Sequence, residues 1–455
     1  MSSAADWAPW VPVIAGVLAF VCLLFAVRSG KRFLLVKNLP TSKTTGVFIG
    51  LVELKGTAES AQPLTSYLAE AACVHYTWSV EEHWSRTVTE TYTDNDGKTQ
   101  TRTRTESGWT TVADGGEMIP FYLQDDCGFI LVRPEGAQLE PATIFQQTCT
   151  PLNSLYYSKG PPGCVANSTM TRRFVERAIL LHAQLYIMGQ ARERTDIVAP
   201  EIAAAKDAPM FLISTRSEEQ VARGLRVGFW GLNVLGALLS AGGLFGRDLA
   251  LHRDPQESIP VYVFAVAAYV GAAVLGWVWM VFNSLVNLRQ RVRQGWSQVD
   301  VQLKRRHDLI PNLVAAVTGL RDYERTLQTQ IAELRAQQAA TPPGVAGPDF
   351  HALQPTLIAI AEAYPELKAQ ESFLKLQQEL TDTEQRIALA RGYFNEIATH
   401  YNTRLEVIPD RFVAALGGLR PQALMTANQF ERAPVEVEFA TVQPGPVAAA
   451  TGKPA

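Results

Sequence analysis

Cysteine is scarce in this 455-residue chain, and the five present, Cys22, Cys73, Cys127, Cys149 and Cys164, are odd in number and nowhere spaced as a CxxC pair. That excludes a disulfide scaffold, a zinc ribbon and a RING finger, which all need grouped thiols. Charge is sparse as well. Charged residues make up 19%, and 41 Lys plus Arg against 44 Asp plus Glu give a formal charge of -3, which argues against nucleic acid as a partner. The chain also lacks a Gly-rich phosphate loop, a nucleophile elbow and a zincin helix, so no cofactor and no catalytic set is expected. What is abundant is apolar residues, at 47%, concentrated in three long runs.

The runs are Trp10 to Val27, Leu225 to Gly246 and Val261 to Phe282, each long enough to cross a hydrocarbon core of roughly 30 Å as a helix. The first lacks a basic n-region and is read as an uncleaved anchor. Basic residues mark one side of all three: Arg28, Lys31, Arg32 and Lys37 after the first, Arg216, Arg223 and Arg226 before the second, Arg289, Arg291 and Arg293 after the third. The positive-inside rule then places the N-terminus outside and both large regions in the cytoplasm. The second and third runs form a hairpin. Small residues four apart, Gly236 with Ser240, Ala267 with Gly271 and Ala272 with Gly276, suit close helix packing within the hairpin or in a homo-oligomer. Transport is disfavoured, because Asn233 and Ser240 are the polar residues inside the runs. Trp277 and Trp279 read as interfacial anchors.

Between the first two runs, short apolar stretches bounded by turn residues predict strands at Phe33–Val36, Thr45–Val52, Val74–Val80, Met118–Leu123 and Gly128–Val132. Alternate threonines, Thr87 to Thr93 and Thr99 to Thr105, predict a projecting hairpin turning at Asp94-Asn95-Asp96-Gly97. A calcium loop fails there, because Tyr92 and Thr103 would stand where carboxylates are required. Cys73 with His75 and His83 could offer metal ligands, but a strand-like alternation more often packs; His182 is expected partly buried or capping. The runs Glu53-Leu54-Lys55-Gly56, Ile119-Pro120-Phe121, Arg173-Phe174-Val175-Glu176-Arg177, Leu185-Tyr186-Ile187-Met188-Gly189 and Phe211-Leu212-Ile213-Ser214 resemble the GIDE or BAM domain of MULAN-type mitochondrial E3 ubiquitin ligases. That resemblance implies a domain beside a membrane and a ubiquitin-transferase-like activity. The RING of those ligases is missing here. Their domain also faces the intermembrane space, against the charge asymmetry of this chain.

Beyond Phe282 an apolar stripe of Leu285, Leu288, Val292, Trp296, Val299, Leu303 and Ile310 continues the third helix out of the membrane. Pro311 is expected to open a second helix to Gln338. A loop at Thr341–Pro348, a short helix at Phe350–Ala363, a long helix from Leu367 to Tyr401, a break at Ile408-Pro409, a short turn from Arg411 to Leu419 and a disordered end after Pro434 complete a coiled-coil-like antiparallel bundle. Arg289, Arg291, Arg293, Lys304, Arg305 and Arg306 form a basic face that anionic lipid head groups could bind. His307 beside Asp308 invites an acid/base reading, but helix neighbours point about 100 degrees apart, so ion pairs with Glu384 or Glu396 are the better expectation. The runs Trp296–Val314, Ala390–Asn395, Tyr401-Asn402 and Ile408-Pro409 resemble the LemA family, which implies a helical bundle anchored in a bacterial membrane, without a defined reaction.

The expected architecture is thus an α+β multi-pass membrane protein: an anchor at 1–30, a GIDE-like β domain at 31–223, a transmembrane hairpin at 224–282, a LemA-like bundle at 283–430 and a tail at 431–455. The expected role is a non-enzymatic scaffold of the bacterial inner membrane with lipids and protein partners. The alternative is an E3-like modifier transferase.

Overall fold

The structure, a computed structural model, describes residues 7–93, 99–194, 196, 199–206, 208–318 and 371–425. The turn at Asp94–Gly97, the loop and short helix expected between residues 341 and 363, and the tail after Pro434 lie outside them. The described chain divides into two units. One comprises Met1–Val292 with Glu396–Gln422, the other Arg293–Asn395 with the C-terminal segment.

The first unit opens with helix α1 (Trp10–Lys37), followed by strands β1 (Thr41–Ser42), β2 (Gly50–Glu59), β3 (Leu64–Thr65), β4 (Ala72–Thr93), β5 (Thr99–Met118), β6 (Phe121–Gln124), β7 (Phe129–Val132), β8 (Gln138–Glu140) and β9 (Ala142–Cys149). A single-turn helix α2 (Leu155–Ser158) precedes β10 (Ser168–Leu180), β11 (Gln184–Glu193), β12 (Pro200–Ala203) and β13 (Leu212–Ser214). Helices α3 (Glu218–Ala250), α4 (Ile259–Thr318), α5 (Glu371–Glu406) and α6 (Asp410–Leu416) follow. Three helices, α1, α3 and α4, are long and apolar enough to cross a membrane.

Five strands close on themselves. Ala58 of β2 lies opposite Leu123 of β6, Leu123 opposite Ile130 of β7, Val132 beside Ile202 of the parallel β12, Ile202 opposite Ala191 of β11, and Ile187 opposite Leu54 of β2. All of these are buried in one apolar core. In chain order the ring runs first, second, third, fifth, fourth and back to first, with a parallel third–fifth pair, the connectivity of an OB-type barrel. Close approach explains two glycines: a Cβ on Gly56 would meet the Gln124 carbonyl at 2.2 Å, and one on Gly189 would meet Ile202 and Phe211 at 2.8 Å.

The long connections between barrel strands build a second sheet, β3-β4-β10-β9 with β5 on β4. Its hairpin keeps the threonines in register, Thr87 with Thr105, Thr89 with Thr103 and Thr91 with Thr101.

Three expectations are corrected. Phe33–Val36 is the last part of α1 rather than a strand, because a short apolar run does not by itself distinguish the two and Val36 finds a helical packing site. Strand β2 starts at Gly50, after a turn of 3-10 helix at Thr44–Gly46, so Thr45 and Gly46 of the expected strand lie in that turn and the strand begins later. Helix α4 passes through Pro311 to Thr318 without a break; a proline there removes one hydrogen bond of a ladder that the flanking turns sustain.

Helices α1 and α3 are antiparallel, with Gly243 against Ala15 and Ser29 donating to the Leu225 carbonyl at 2.8 Å. Helix α4 runs parallel to α1, since Gly276 meets Val27, Gly30 meets Met280 and Asn38 donates to Ser284. The loop end of the α3–α4 hairpin is locked by Asp248, fully buried, which accepts from Tyr262 Oη at 2.8 Å and from Arg247 at 2.7 Å. In the second unit α4 and α5 pack antiparallel: Trp296 and Phe394 rings meet edge to face at 5.7 Å, and Arg306 pairs with Glu384 at 3.6 Å.

Candidate functional site

The barrel joins the helices with little intervening chain. Helix α1 ends at Lys37 and β1 starts at Thr41; β13 ends at Ser214 and α3 starts at Glu218. A capping box fixes that second entry: the Ser217 hydroxyl accepts from the Gln220 N–H, and the Gln220 side chain accepts from the Ser217 N–H. Glu218 and Glu219 in the first turn complement the helix dipole. An apolar cluster seals the joint, with Val36 and Leu39 from the α1 end, Tyr186 and Met188 from β11, Leu212 from β13 and Val221 from α3.

A carboxyl is buried beneath this cluster. Glu53 on β2 is fully enclosed and accepts from Thr41 Oγ1 at 2.7 Å and Tyr186 Oη at 3.0 Å, with the Lys55 ammonium at 3.4 Å. Lys55 also bonds Glu218 at 2.7 Å, which links the barrel interior to the first turn of α3. Burial pushes Glu53 up to about 7, against the lowering effect of its bonds to Thr41, Lys55 and Tyr186.

A second clasp holds α4 where it leaves the apolar region. Arg404 on α5 pairs with Asp410 and donates to Asn38 Oδ1 at 3.1 Å and Ser284 Oγ at 3.3 Å. Val413 and Ala414 of α6 pack on Val281 and Leu285 of α4. The asparagines of the family-like motifs act on backbone. Asn402 donates to the Gln422 carbonyl and accepts from its N–H, both at 2.8 Å; Asn395 does the same to Met425 at 3.0 and 2.8 Å.

Of the basic face, Arg293, Lys304 and Arg305 are exposed, Arg289 and Arg291 half-buried, and Arg306 is buried against Glu384 rather than facing solvent. His307 is half-buried and Asp308 exposed. Of the small residues, Gly236 lies under Tyr269, whose hydroxyl would stand 2.1 Å from a Cβ, and Gly276 lies 3.3 Å from Val27. Gly271 faces open space, Ala272 is exposed, and Ser240 donates to the Ala237 carbonyl. The small-residue face that sequence reasoning missed is on α1, where Ala15, Ala19, Ala26 and Gly30 are buried. Their spacing of four, seven and four was the available signal.

The thiol and imidazole candidates are separate. Cys73 is buried, donates to the Leu64 carbonyl at 3.7 Å and is pushed up to about 11 by burial, with Glu176 and Glu117 adding to the shift. His75 bonds the Glu117 carbonyl and is lowered by burial, while His83 bonds Thr169 Oγ1 at 2.9 Å. His182 is exposed at a left-handed turn and pairs with Glu59, contrary to the expected burial. Among the described residues, Asp125, Asp126 and Cys127 are close enough to share an ion, but the Asp125 carboxylate already accepts from Thr44, Cys127 and Gly128 and shapes a turn.

Two family models match separate parts of the chain. A GIDE model, described as E3 Ubiquitin ligase, matches residues 89–244, and a LemA family model matches residues 295–439. Protein LemA of Metamycoplasma hominis is 23% identical over 159 residues, covering 34% of this chain and 73% of that protein. Magnetosome proteins MamQ 1 and MamQ 2 of Paramagnetospirillum magneticum are each 21% identical over 203 residues, covering 37% of this chain and 72% of theirs. No solved structure matches the chain.

Proposed function

We propose, for a chain that joins a GIDE region to a LemA region, a non-catalytic scaffold of a bacterial inner membrane, crossing it three times with its N-terminus outside and both large regions cytoplasmic. The observation that carries this reading is the sealed joint. Val36 of α1, Leu39 just beyond it, Val221 of α3, Met188 of the barrel strand β11 and Leu212 of β13 share one core, so a protein gripping the barrel is held close to the bilayer without a flexible tether. Lys37, exposed at the end of α1, suits an anionic lipid surface, and a second copy of the chain is among the partners admitted. The test is proximity labelling from two sites, one enzyme inserted in the Thr-rich hairpin and one at the C-terminus. Overlapping sets of cytoplasmic or membrane proteins are expected. Sets that share nothing would count against a scaffold.

A second reading, modifier transfer, is favoured by the description of the family model matched at residues 89–244. It needs a zinc-organised surface or an activated thiolate. A thiol raised to about 11, such as Cys73, is a poor nucleophile near neutrality. The purified protein is expected to form no thioester with ubiquitin or a ubiquitin-like protein; a thioester lost in Cys73→Ser would establish the enzyme reading.

A further inference from the structure

The first unit holds a cavity of about 630 Å³ between α1 and α4, with Pro209 from the connection between β12 and β13 at its edge. Its walls are two helical stripes. On α1, Leu24, Val27, Arg28, Lys31 and Arg32 fall at spacings of three and four and so share a face; on α4, Met280, Ser284, Asn287 and Arg291 do the same. The two helices are parallel, with Val27 against Gly276, Gly30 against Met280 and Asn38 against Ser284. Leu24 and Val27 face Met280 at the apolar end. Toward the barrel, Arg28, Lys31, Arg32 and Arg291 line the cavity with Asn283, Ser284 and Asn287, with Leu34, Leu35 and Leu288 between them.

Four cations therefore enter one cavity from two helices. Among the described residues no carboxylate pairs with Arg28, Lys31 or Arg32, while the Lys31 ammonium lies 3.9 Å over the half-exposed Trp279 ring. Arg291 reaches the Leu51 carbonyl of β2 at 3.5 Å, and Pro209, between β12 and β13, also lines the cavity. An occupant that suits this lining carries negative charge toward the four cations and hydrocarbon along Leu24, Val27 and Met280. The position of Trp279 puts that change of polarity at the depth of lipid head groups.

We infer that this cleft binds one anionic glycerophospholipid from the leaflet nearest the barrel. Its phosphate lies among Arg28, Lys31, Arg32 and Arg291, and the start of an acyl chain lies along Leu24, Val27 and Met280. The inference rests on the reading of α1 and α4 as membrane-spanning. It differs from general attraction of an exposed basic face, because the site is concave, amphipathic and partly walled by the barrel, so its occupancy bears on the barrel's seating.

The test uses the full chain, extracted in detergent from membranes first washed with alkaline carbonate. Recovery in the carbonate supernatant would overturn the membrane reading itself, and the two failures are thereby distinguished. Retention of dioleoyl phosphatidylglycerol, dioleoyl phosphatidylcholine and inorganic phosphate is then compared by native mass spectrometry. Phosphatidylglycerol is expected to be retained at least about tenfold more than either other probe, with one molecule per chain. Arg28→Gln with Arg32→Gln, and separately the cleft-filling Asn287→Trp, should each abolish that preference, whereas Arg102→Gln, at an exposed position on β5, should not change it. Equal retention of both lipids, equal binding of free phosphate, or a preference that survives both cleft variants would overturn the assignment.

Discussion

Glu82 and Arg172 are both fully buried between β4 and β10, where each needs every partner it has. The Arg172 guanidinium donates to Glu82 at 3.1 Å and to the carbonyls of Tyr156, Pro161 and Gly163, and lies 4.1 Å over the Tyr156 ring; Ser168 also donates to Glu82. Removing one partner strands the other charge, so Arg172→Ala should cost about 3–5 kcal/mol in unfolding free energy, while a paired apolar replacement, Arg172→Met with Glu82→Leu, should cost less. Guanidinium unfolding in detergent checks both. The identity of this arginine was not legible in sequence: Arg172 and Arg173 alternate along one strand, and the covering loop that buries one of them comes from chain around α2. Cys73 and His75, by contrast, already read as packing from their strand-like alternation.

Glu53 makes a second prediction at this scale. Its pKa in the folded state is raised from 4.5 to about 7 by burial, so between those values the folded chain holds a proton that the unfolded chain has released. Its contribution to stability is therefore full below 4.5 and lost as pH rises through about 7. The charged groups facing it are Lys55 and Glu218, and Tyr186 and Thr41 donate to it. Glu53→Gln, neutral throughout, should flatten the dependence of the thermal midpoint on pH across that window. An unchanged slope would remove Glu53 as its source.

At the scale of elements, patterns with a strict period were the legible ones. The alternating threonines gave the β4–β5 pairing, and the apolar stripe from Leu285 to Leu303 gave a helix continuing from the membrane, seen in α4 as one element from Ile259 to Thr318. The barrel was not legible, because β2 and β6 are neighbours separated by the whole second-sheet hairpin, and no local period reports such a closure. Phe33–Val36 failed for a related reason: a four-residue apolar run fits a strand or a helix end until its packing partners are known. The continuous helix predicts a phase effect. Two residues inserted after Asn283 rotate the following stripe by about 200 degrees, away from the packing of Leu285 on Val413 and Ala414, whereas four residues nearly restore it at 3.6 per turn. Limited proteolysis should show the two-residue insertion far more sensitive than the four-residue one; equal sensitivity would mean that the phase of α4 carries nothing.

For the whole molecule, the central claim is that the membrane helices hold the barrel on the side where the basic flanks lie, and leave the loop between α3 and α4 on the other. Sequence supplied that claim through Arg and Lys positions alone, while the joint of Val36, Leu39 and Val221 gives it mechanical meaning. The chain carries its own reporters, since Cys127 and Cys164 are exposed on the barrel side and Cys73 and Cys149 are buried. The direct measurement is labelling of intact bacterial cells with a membrane-impermeant maleimide, in the native chain and in a variant whose cysteines are replaced by serine and which carries Gln256→Cys in the short loop. The account predicts that Gln256→Cys is labelled in intact cells while Cys127 and Cys164 react only after permeabilisation; labelling of Cys127 or Cys164 from outside, with Gln256→Cys protected, would contradict it.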